Sequence, residues 1–554
     1  MRKKKSPVPV AAGLLAAAVL VGIGGFALNR YAPTGEHMDK MEYYGLTDES
    51  QAALVVDDQV LESRGIVENG FIYVDYRTAW DYFNSGFYWD AAQGQLMLTL
   101  PAGTSTWRAD DGTGAVILGE DGTPYISAEC IRENSDIDME IYQDPQRIVA
   151  RTRWEGLTPM TVTRDAQVRY RGGPKSEILT QVSEGDTVVF LEDLDGWTRV
   201  STADGYVGYM QSEDLTEGSG EAFSHTTEER FLFQGAASGV EGKINMGFHY
   251  IGSQDHNETL SQVIASAQGM NVIAPTWFSL QDSQGTLLSY GDRAYVDQAH
   301  SAGLRVWAVI GDVNGTDVST GEVLADTAKR TYIVQQLMQI AAETGLDGIN
   351  VDFESIREET APQYLQFLKE LCAAAHAQGL VVSADNFVPL YTKYYKRREQ
   401  AKTVDYIVIM GYDEHTASSE EIGSVASLPF VEQGITDTLE EVPKEKVINA
   451  IPFYTRAWTE VFGEAVPQSE ALGMDEAAAF AAEHGIVTSW DGAVGQNVGS
   501  AESGEARYSI WLEDERSIEE KMKLIQKYDL AGAAQWRLGF ERASVWPIID
   551  QYLQ

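Results

Sequence analysis

The chain is poor in the residues that build metal sites and disulfides: 554 residues carry two cysteines and eight histidines. Cys130 and Cys372 fall in different segments, so no disulfide framework is available and both are expected as free, buried thiols. Cys372 lies with Leu365, Leu368 and Leu371 on the apolar stripe of a helical pattern, where core packing accounts for it. No Cys/His spacing suits zinc and no calcium-loop or phosphate-loop pattern occurs, so no metal and no other cofactor is expected. Basic residues are scarce too, 41 against 83 acidic, for a formal charge of −42. Such a surface repels nucleic acid and anionic headgroups and argues against either as a partner, but it leaves a neutral polysaccharide open. Charge is missing altogether from residues 6–29, which are long enough to cross a hydrocarbon core of about 30 Å as a helix. Arg2, Lys3, Lys4 and Lys5 precede that stretch, and a basic cluster on that side holds it in the cytoplasm. Residues 1–29 are therefore expected as a basic tip and single transmembrane helix at the cell membrane, with everything later outside; a cleaved signal peptide and a secreted chain are the alternative.

The length exceeds one ordinary core and predicts several units. After a linker over 30–50, residues 51–152 hold two similar stretches. NGFIYVDYRTAWDYFNSGFYWDAAQGQLMLTL, from Asn69, aligns without gaps on DGTPYISAECIRENSDIDMEIYQDPQRIVART, from Asp121, matching Gly70 to Gly122, Tyr73 to Tyr125 and Trp89 to Ile141. Each predicts strand, short helix, strand, strand, an α+β tandem repeat. It resembles the stalk-like module named after the amino-terminal domain of copper amine oxidases; neither copy contains His, so copper is not implied. Over 153–217 short alternating strands with turns at Asp195-Gly196 and Asp204-Gly205 predict a small all-β barrel of hairpins. GWTRV followed by DGYVGYM resembles a bacterial SH3-like domain, in which Trp197 and Tyr206 either line a ligand groove or fill the core. Residues 218–243 are polar and predict a linker.

From 244 to 554 apolar strands alternate with amphipathic helices. INMGFHYI, MNVIAPTWF, LRVWAVIG, DGINVDFE, LVVSADNF, VDYIVIMGYD, KVINAIPFY and LAGAAQWRL supply eight strands, with patterns such as PQYLQFLKELCAAAHAQG between them. The fold class is α/β, a closed (β/α)8 TIM barrel. One connection, about 459–530, is far longer than an ordinary one. With its helix MDEAAAFAAEHG and strands VTSWDG and ARYSIWLED, it predicts a small inserted subdomain forming one wall of a groove.

At 346–356 the chain reads LDGINVDFESI. Side chains alternate faces along a strand, so Asn350, Asp352 and Glu354 share one face while Ile349, Val351 and Phe353 take the helix-facing side. The polar trio points into the barrel, where unused carboxylates would lose solvation worth several kcal/mol. Glu354 is expected as the last strand residue, at the open end where barrel enzymes keep their chemistry.

Asp347-Gly348-x-Asn350-x-Asp352-x-Glu354 resembles the DGxDxDxE signature of family 18 glycoside hydrolases, the chitinase-type enzymes. MGYD at 410–413 is similar to the family's M-x-Y-D on the sixth strand, AIPFYTR at 450–456 to its seventh-strand segment, and Trp536 stands where the family has the tryptophan flooring the sugar site. The resemblance spans 244–554 and implies cleavage of β-1,4 bonds beside N-acetylglucosamine by a retaining mechanism in which the substrate's acetamido group is the nucleophile. It assigns Glu354 as proton donor, Asp352 as acceptor of the acetamide N–H and Tyr412 as donor to the acetamide carbonyl. Asp352 is expected to raise the pKa of Glu354. Asn350 departs from the pattern, which has Asp there; an amide donating to Asp352 is expected to shift the pH profile, and Asn at this place resembles bacterial spore and cell-wall members. Asp413, Tyr454, Arg456 and Trp277 are further substrate-binding candidates. Peptidoglycan is the favoured polymer, then chitin oligosaccharides, then N-glycans. A catalytically weak or inactive lectin-like binder of the same sugars, and a scaffolding relic, remain as alternatives.

Overall fold

The structure is a computed structural model that describes residues 33–218, 223–313 and 318–554. The predicted membrane segment 6–29 lies outside the described residues; among those described, no helix is long and apolar enough to cross a membrane. The chain divides into two compact units: one holds residues up to Asn84 together with 107–228, the other 85–106 together with 229–554.

The second unit is built on eight strands: β1 (Ile244–His249), β2 (Val272–Pro275), β3 (Arg305–Gly311), β4 (Gly348–Asp352), β5 (Val381–Phe387), β6 (Tyr406–Met410), β7 (Val447–Pro452) and β8 (Gly532–Trp536). They pair in parallel in the order β2-β1-β8-β7-β6-β5-β4-β3, and β3 pairs again with β2, closing the barrel. Each falls within one of the eight predicted segments. Parallel strands are covered on both faces, so they read as near-continuous apolar runs; Ile349, Val351, Ile407 and Ile409 are buried toward the helices. The barrel helices include α1 (Thr327–Thr344), α2 (Ala361–His376) and α3 (Glu515–Lys527). Asp326 caps α1 by accepting the N–H groups of Ala328 and Lys329, and Gly345 ends it at φ 81°, a left-handed conformation that glycine adopts without steric cost. Cys372 is buried on the inner stripe of α2, and both cysteines are free.

Three expectations need correction. Strand β4 ends at Asp352, and Glu354 lies in the segment beyond it, because the Glu354 N–H is donated to Asp312 rather than to the neighbouring strand. The insertion runs over 454–512, not 459–530. Strand Tyr454–Val461 begins directly after β7 and joins Gln468–Gly473, Ser489–Asp491, Gln496–Ser503 and Ala506–Leu512 in one antiparallel sheet, backed by helix Met474–Glu483. The segment that follows is α3, the barrel's own helix: buried Lys521 donates to both oxygens of buried Glu513 at 2.9 Å, beside Gln496 at 2.7 Å. Third, part of the predicted 30–50 linker is structured, with helix Lys40–Tyr44 capped by Asp39 and Tyr44 buried against Leu46, Leu179 and Tyr206. Tyr206 is accordingly core and not groove.

Both repeats take the predicted strand, helix, strand, strand pattern: 71–75, 76–82, 87–90 and 95–100, then 124–127, 128–133, 138–143 and 146–151. Their hairpins go different ways. Asp138–Gln143 and Gln146–Arg151 stay in the seven-stranded sheet of the first unit. Phe87–Asp90 and Gln95–Leu100 form a separate three-stranded sheet with Gly103–Arg108, and the two hairpin strands pack on α2 of the barrel unit. A second seven-stranded antiparallel sheet spans 158–217.

Candidate active site

The motif divides into a structural end and a chemical end. Asp347 sits at the start of β4 and takes Arg305 at 2.9 Å, His300 at 2.7 Å and the Val306 N–H at 2.8 Å, which fixes β4 beside β3. Gly348 is held to glycine by space: a Cβ there would stand 2.8 Å from the Trp307 ring and 2.8 Å from the Val381 carbonyl oxygen. At the other end, Asp312, which follows β3, accepts the Glu354 N–H at 2.8 Å and the Ser355 hydroxyl. Tyr395 and Tyr394 donate to the carbonyls of Phe353 and Ile356, each at 3.1 Å. Glu354 is thereby carried on a pinned turn at the mouth of the barrel.

Burial is the main cause holding the Glu354 carboxyl up at about 8, with the charges of Asp352, Asp312 and Asp413 adding to it. Asp352 is also held well above the usual carboxylate range, first by burial and then by Asp385 and Asp312. One of its oxygens is buried with no partner. Tyr412, just past β6, is buried, and its phenol is pushed well above its ordinary value by burial and the nearby carboxylates, so it stays a hydrogen-bond donor at any physiological pH. The Tyr454 ring meets it edge-on at 6.2 Å and donates its hydroxyl to Asp413. Trp536 ends β8, partly exposed, and packs on Phe248 of β1 at 5.5 Å. Arg456 donates to Ser469 at 3.0 Å on the inserted sheet.

Two expectations about these residues fail. The Asn350 amide does not reach Asp352; it donates to Ser383 at 2.9 Å and to Asp385 at 2.7 Å, both on β5. Trp277 is 1% exposed, gives its indole N–H to Asn257 at 2.8 Å and meets Tyr295 edge-on at 5.1 Å; it is a core residue. Asp385 and Asp312 are the acids that sequence reasoning missed. Asp385 had a signal, because Ser383 and Asp385 alternate in VVSADNF as Asn350 and Asp352 do in β4. Asp312 sits in a connection and had none. Tyr250 and Tyr391, 48% and 52% exposed, lie in the connections after β1 and β5. Among the described residues, no group of acids, histidines and cysteines is arranged to hold a metal ion.

The family model of glycosyl hydrolases family 18 matches residues 236–541, and that of the bacterial dipeptidyl-peptidase SH3 domain matches residues 168–215. The chain is similar to an uncharacterized glycosylase of Bacillus subtilis (strain 168), YvbX, at 25% identity over 294 residues covering 50% of this chain and 84% of that protein. It is also similar to the cortical fragment-lytic enzyme of the same organism, at 25% identity over 239 residues, 42% of this chain and 55% of the other. The match thus spans little more than half of that second relative. In fold it is similar to the crystal structure of chitinase from Chromobacterium violaceum ATCC 12472, with TM-score 0.50 and 23% identity over 56% of this chain and 99% of that one.

Proposed function

The chain belongs to family 18 of the glycosyl hydrolases, and on that premise we propose that it hydrolyses β-1,4 bonds next to N-acetylglucosamine with retention, using the substrate's acetamido group, and that its polymer is peptidoglycan. The observation that carries this is the pair of raised acids at one end of β4: Glu354, held protonated to about pH 8, two residues beyond buried Asp352. An acid that keeps its proton at neutral pH protonates the leaving glycosidic oxygen. The acetamido carbonyl attacks the anomeric carbon from the opposite side, and the glycosidic bonding pair leaves with the protonated oxygen. Asp352 takes the acetamide N–H and faces the positive charge of the resulting oxazolinium ring. Tyr412 donates to the acetamide carbonyl and aims it. Glu354, now ionised, removes a proton from the water that opens the ring, so two inversions return the original configuration.

Trp536 supplies an aromatic face for the apolar side of the sugar at the floor of this space; Asp413, held by Tyr454, and Arg456 on the inserted sheet offer polar contacts to hydroxyls. Trp536→Ala is expected to weaken N-acetylglucosamine oligomer binding about tenfold, the worth of one aromatic stacking contact, and to remove the thermal protection those oligomers give. Calorimetric titration measures the first and a melting series the second.

The likeness to a cortical fragment-lytic enzyme and the SH3 domain favour peptidoglycan over chitin. Residues 6–29 as a membrane anchor would keep the barrel beside the wall. The test is sugar release by residues 33–554 from peptidoglycan, from chitin oligosaccharides and from N-deacetylated peptidoglycan, with the product anomer read by NMR. Release of β-anomers from intact peptidoglycan, and none once the acetyl groups are gone, is expected. Equal cleavage of the deacetylated polymer would sink the substrate-assisted mechanism, and binding without release from any polymer would leave a lectin-like barrel.

A further inference from the structure

Resting on the mechanism above, the position of Asn350 raises a question about the proton of Asp352. Asp352 must be an anion when it faces the oxazolinium ring, yet it sits in a buried cluster of acids. A carboxylate on β4 two residues before it would be the nearest group to take its proton, and here that place holds an amide with no basic site.

Strands β4 and β5 pair in parallel with Asn350 opposite Ser383 and Val351 opposite Ala384. The next step of the register sets Asp352 beside Asp385 on the same face, at the roughly 4.8 Å spacing of neighbouring strands. Asp385 is 3% exposed and accepts the Asn350 amide at 2.7 Å on Oδ1. The other amide hydrogen is spent on Ser383. Asn350 donates to only one oxygen of Asp385, and Asp352 has a buried oxygen without a partner. The acids and phenols around the pair are Asp312 beyond β3, Glu354 on the turn after β4, Tyr412 and Asp413 after β6, and Tyr364 on α2. Two carboxyls in such surroundings cannot both ionise, so one proton serves both. Burial raises the Asp385 carboxyl and the Asn350 hydrogen bond acts against it, whereas burial and the charges of Asp385 and Asp312 all push Asp352 up; of the two acids Asp385 is therefore the first to ionise.

We propose that Asp385 is the proton partner of Asp352, a positioning residue on β5 that does what an amide at 350 cannot. At rest the proton lies on Asp352 and Asp385 is the anion, stabilised by the Asn350 N–H. As the acetamido carbonyl bonds to the anomeric carbon and positive charge grows, the proton passes from Asp352 to Asp385. Asp352 becomes the anion beside the oxazolinium ring, Asp385 becomes neutral, and the pair keeps one proton throughout. Ring opening by water reverses the transfer.

The decisive variants are Asp385→Asn and the exchange Asn350→Asp with Asp385→Asn. Asp385→Asn is expected to lower kcat about a hundredfold with KM moved less than about threefold, and to shift the pH profile. The exchange returns a carboxyl beside Asp352 and keeps the hydrogen bond between the two strands, so it is expected to restore most of kcat. An Asp385→Asn enzyme with unchanged kcat and pH profile, beside a wild type that Glu354→Gln silences, would overturn the proposal and leave the mechanism standing. A wild type that releases no sugar would instead overturn the mechanism. The proton pair is then still read without turnover, by infrared titration of the carboxyl C=O band in Glu354→Gln protein: the midpoint is expected to fall when Asp385→Asn is added, and an unmoved midpoint rejects the pair.

Discussion

Glu354→Gln is expected to slow sugar release from peptidoglycan by about 10³- to 10⁴-fold while leaving oligosaccharide binding close to the wild type, since general acid catalysis is worth that much and glutamine keeps the shape. The pH dependence gives the sharper signature. With its carboxyl held at about 8, chiefly by burial and then by Asp352, the wild type loses its acid form, and with it kcat, as pH rises through about 8. The residual rate of the glutamine variant has no such limb. Stability moves in the same sense. A carboxyl whose folded pKa lies above its unfolded value of about 4.3 binds more protons in the folded state, so its contribution is present below that value and is lost as pH rises toward 8. The wild type should therefore lose more melting temperature between pH 5 and pH 8 than Glu354→Gln, as measured by calorimetry across that range. Equal slopes would mean that Glu354 is not the buried acid described above, and a glutamine variant that still cleaves at the wild-type rate would remove it from the proton-donor role.

How far the sequence went depended on whether the deciding contact was local. The eight barrel strands were legible because strands buried on both faces leave long apolar runs, and Asn350, Asp352 and Glu354 stood out because their period of two breaks such a run. The same rule applied to β5 would have picked out Ser383 and Asp385. It was not decisive there, because Asn386 follows at once and blurs the alternation, although the structure turns it away to Gln400. Trp277 and Trp536 looked alike, each an indole at or near the end of an apolar segment. What separates them is Asn257 and Tyr295 closing on the first, a tertiary contact that no local pattern encodes. The partner of the Asn350 amide was misjudged for the same reason: Asp352 is near in sequence, but the parallel register brings β5 nearer in space. The repeats show the limit most clearly. Their similarity gave the correct elements twice, yet one hairpin stays in the seven-stranded sheet of the first unit while the other forms a separate sheet within the barrel unit.

That displaced hairpin carries the second large effect: Arg330→Ala is expected to lower the melting temperature of the barrel unit by about 4–8 °C, the equivalent of roughly 3–5 kcal/mol for breaking a buried pair. Arg330 on α1 is fully buried. It holds Glu370 of α2 through Nε at 3.1 Å and Nη2 at 3.1 Å, the Leu324 carbonyl at 2.7 Å, Thr327 at 2.8 Å and the hydroxyl of Tyr88 at 3.2 Å, with its guanidinium 4.6 Å over the Tyr88 ring. Removing it leaves Glu370 without its cation, which is why truncation costs more than the pair itself contributes. Adding Glu370→Gln to Arg330→Met should recover much of the loss, and failure to do so would assign the effect to packing alone. The hairpin also contributes Asp90 to Thr327 at 2.5 Å and Thr99 to Gln366 at 2.8 Å, and it buries Phe87, Leu96 and Leu98. Burial of side chains of that size is worth about 1.5–3 kcal/mol each, against a typical net stability of about 5–15 kcal/mol for a whole domain. A chain of residues 229–554 alone, although it contains the whole family-matched segment, is therefore expected to lose the cooperative melting transition that the chain including 85–106 retains. A sharp transition at an unchanged temperature in the shorter chain would show that the hairpin rests on the barrel without stabilising it.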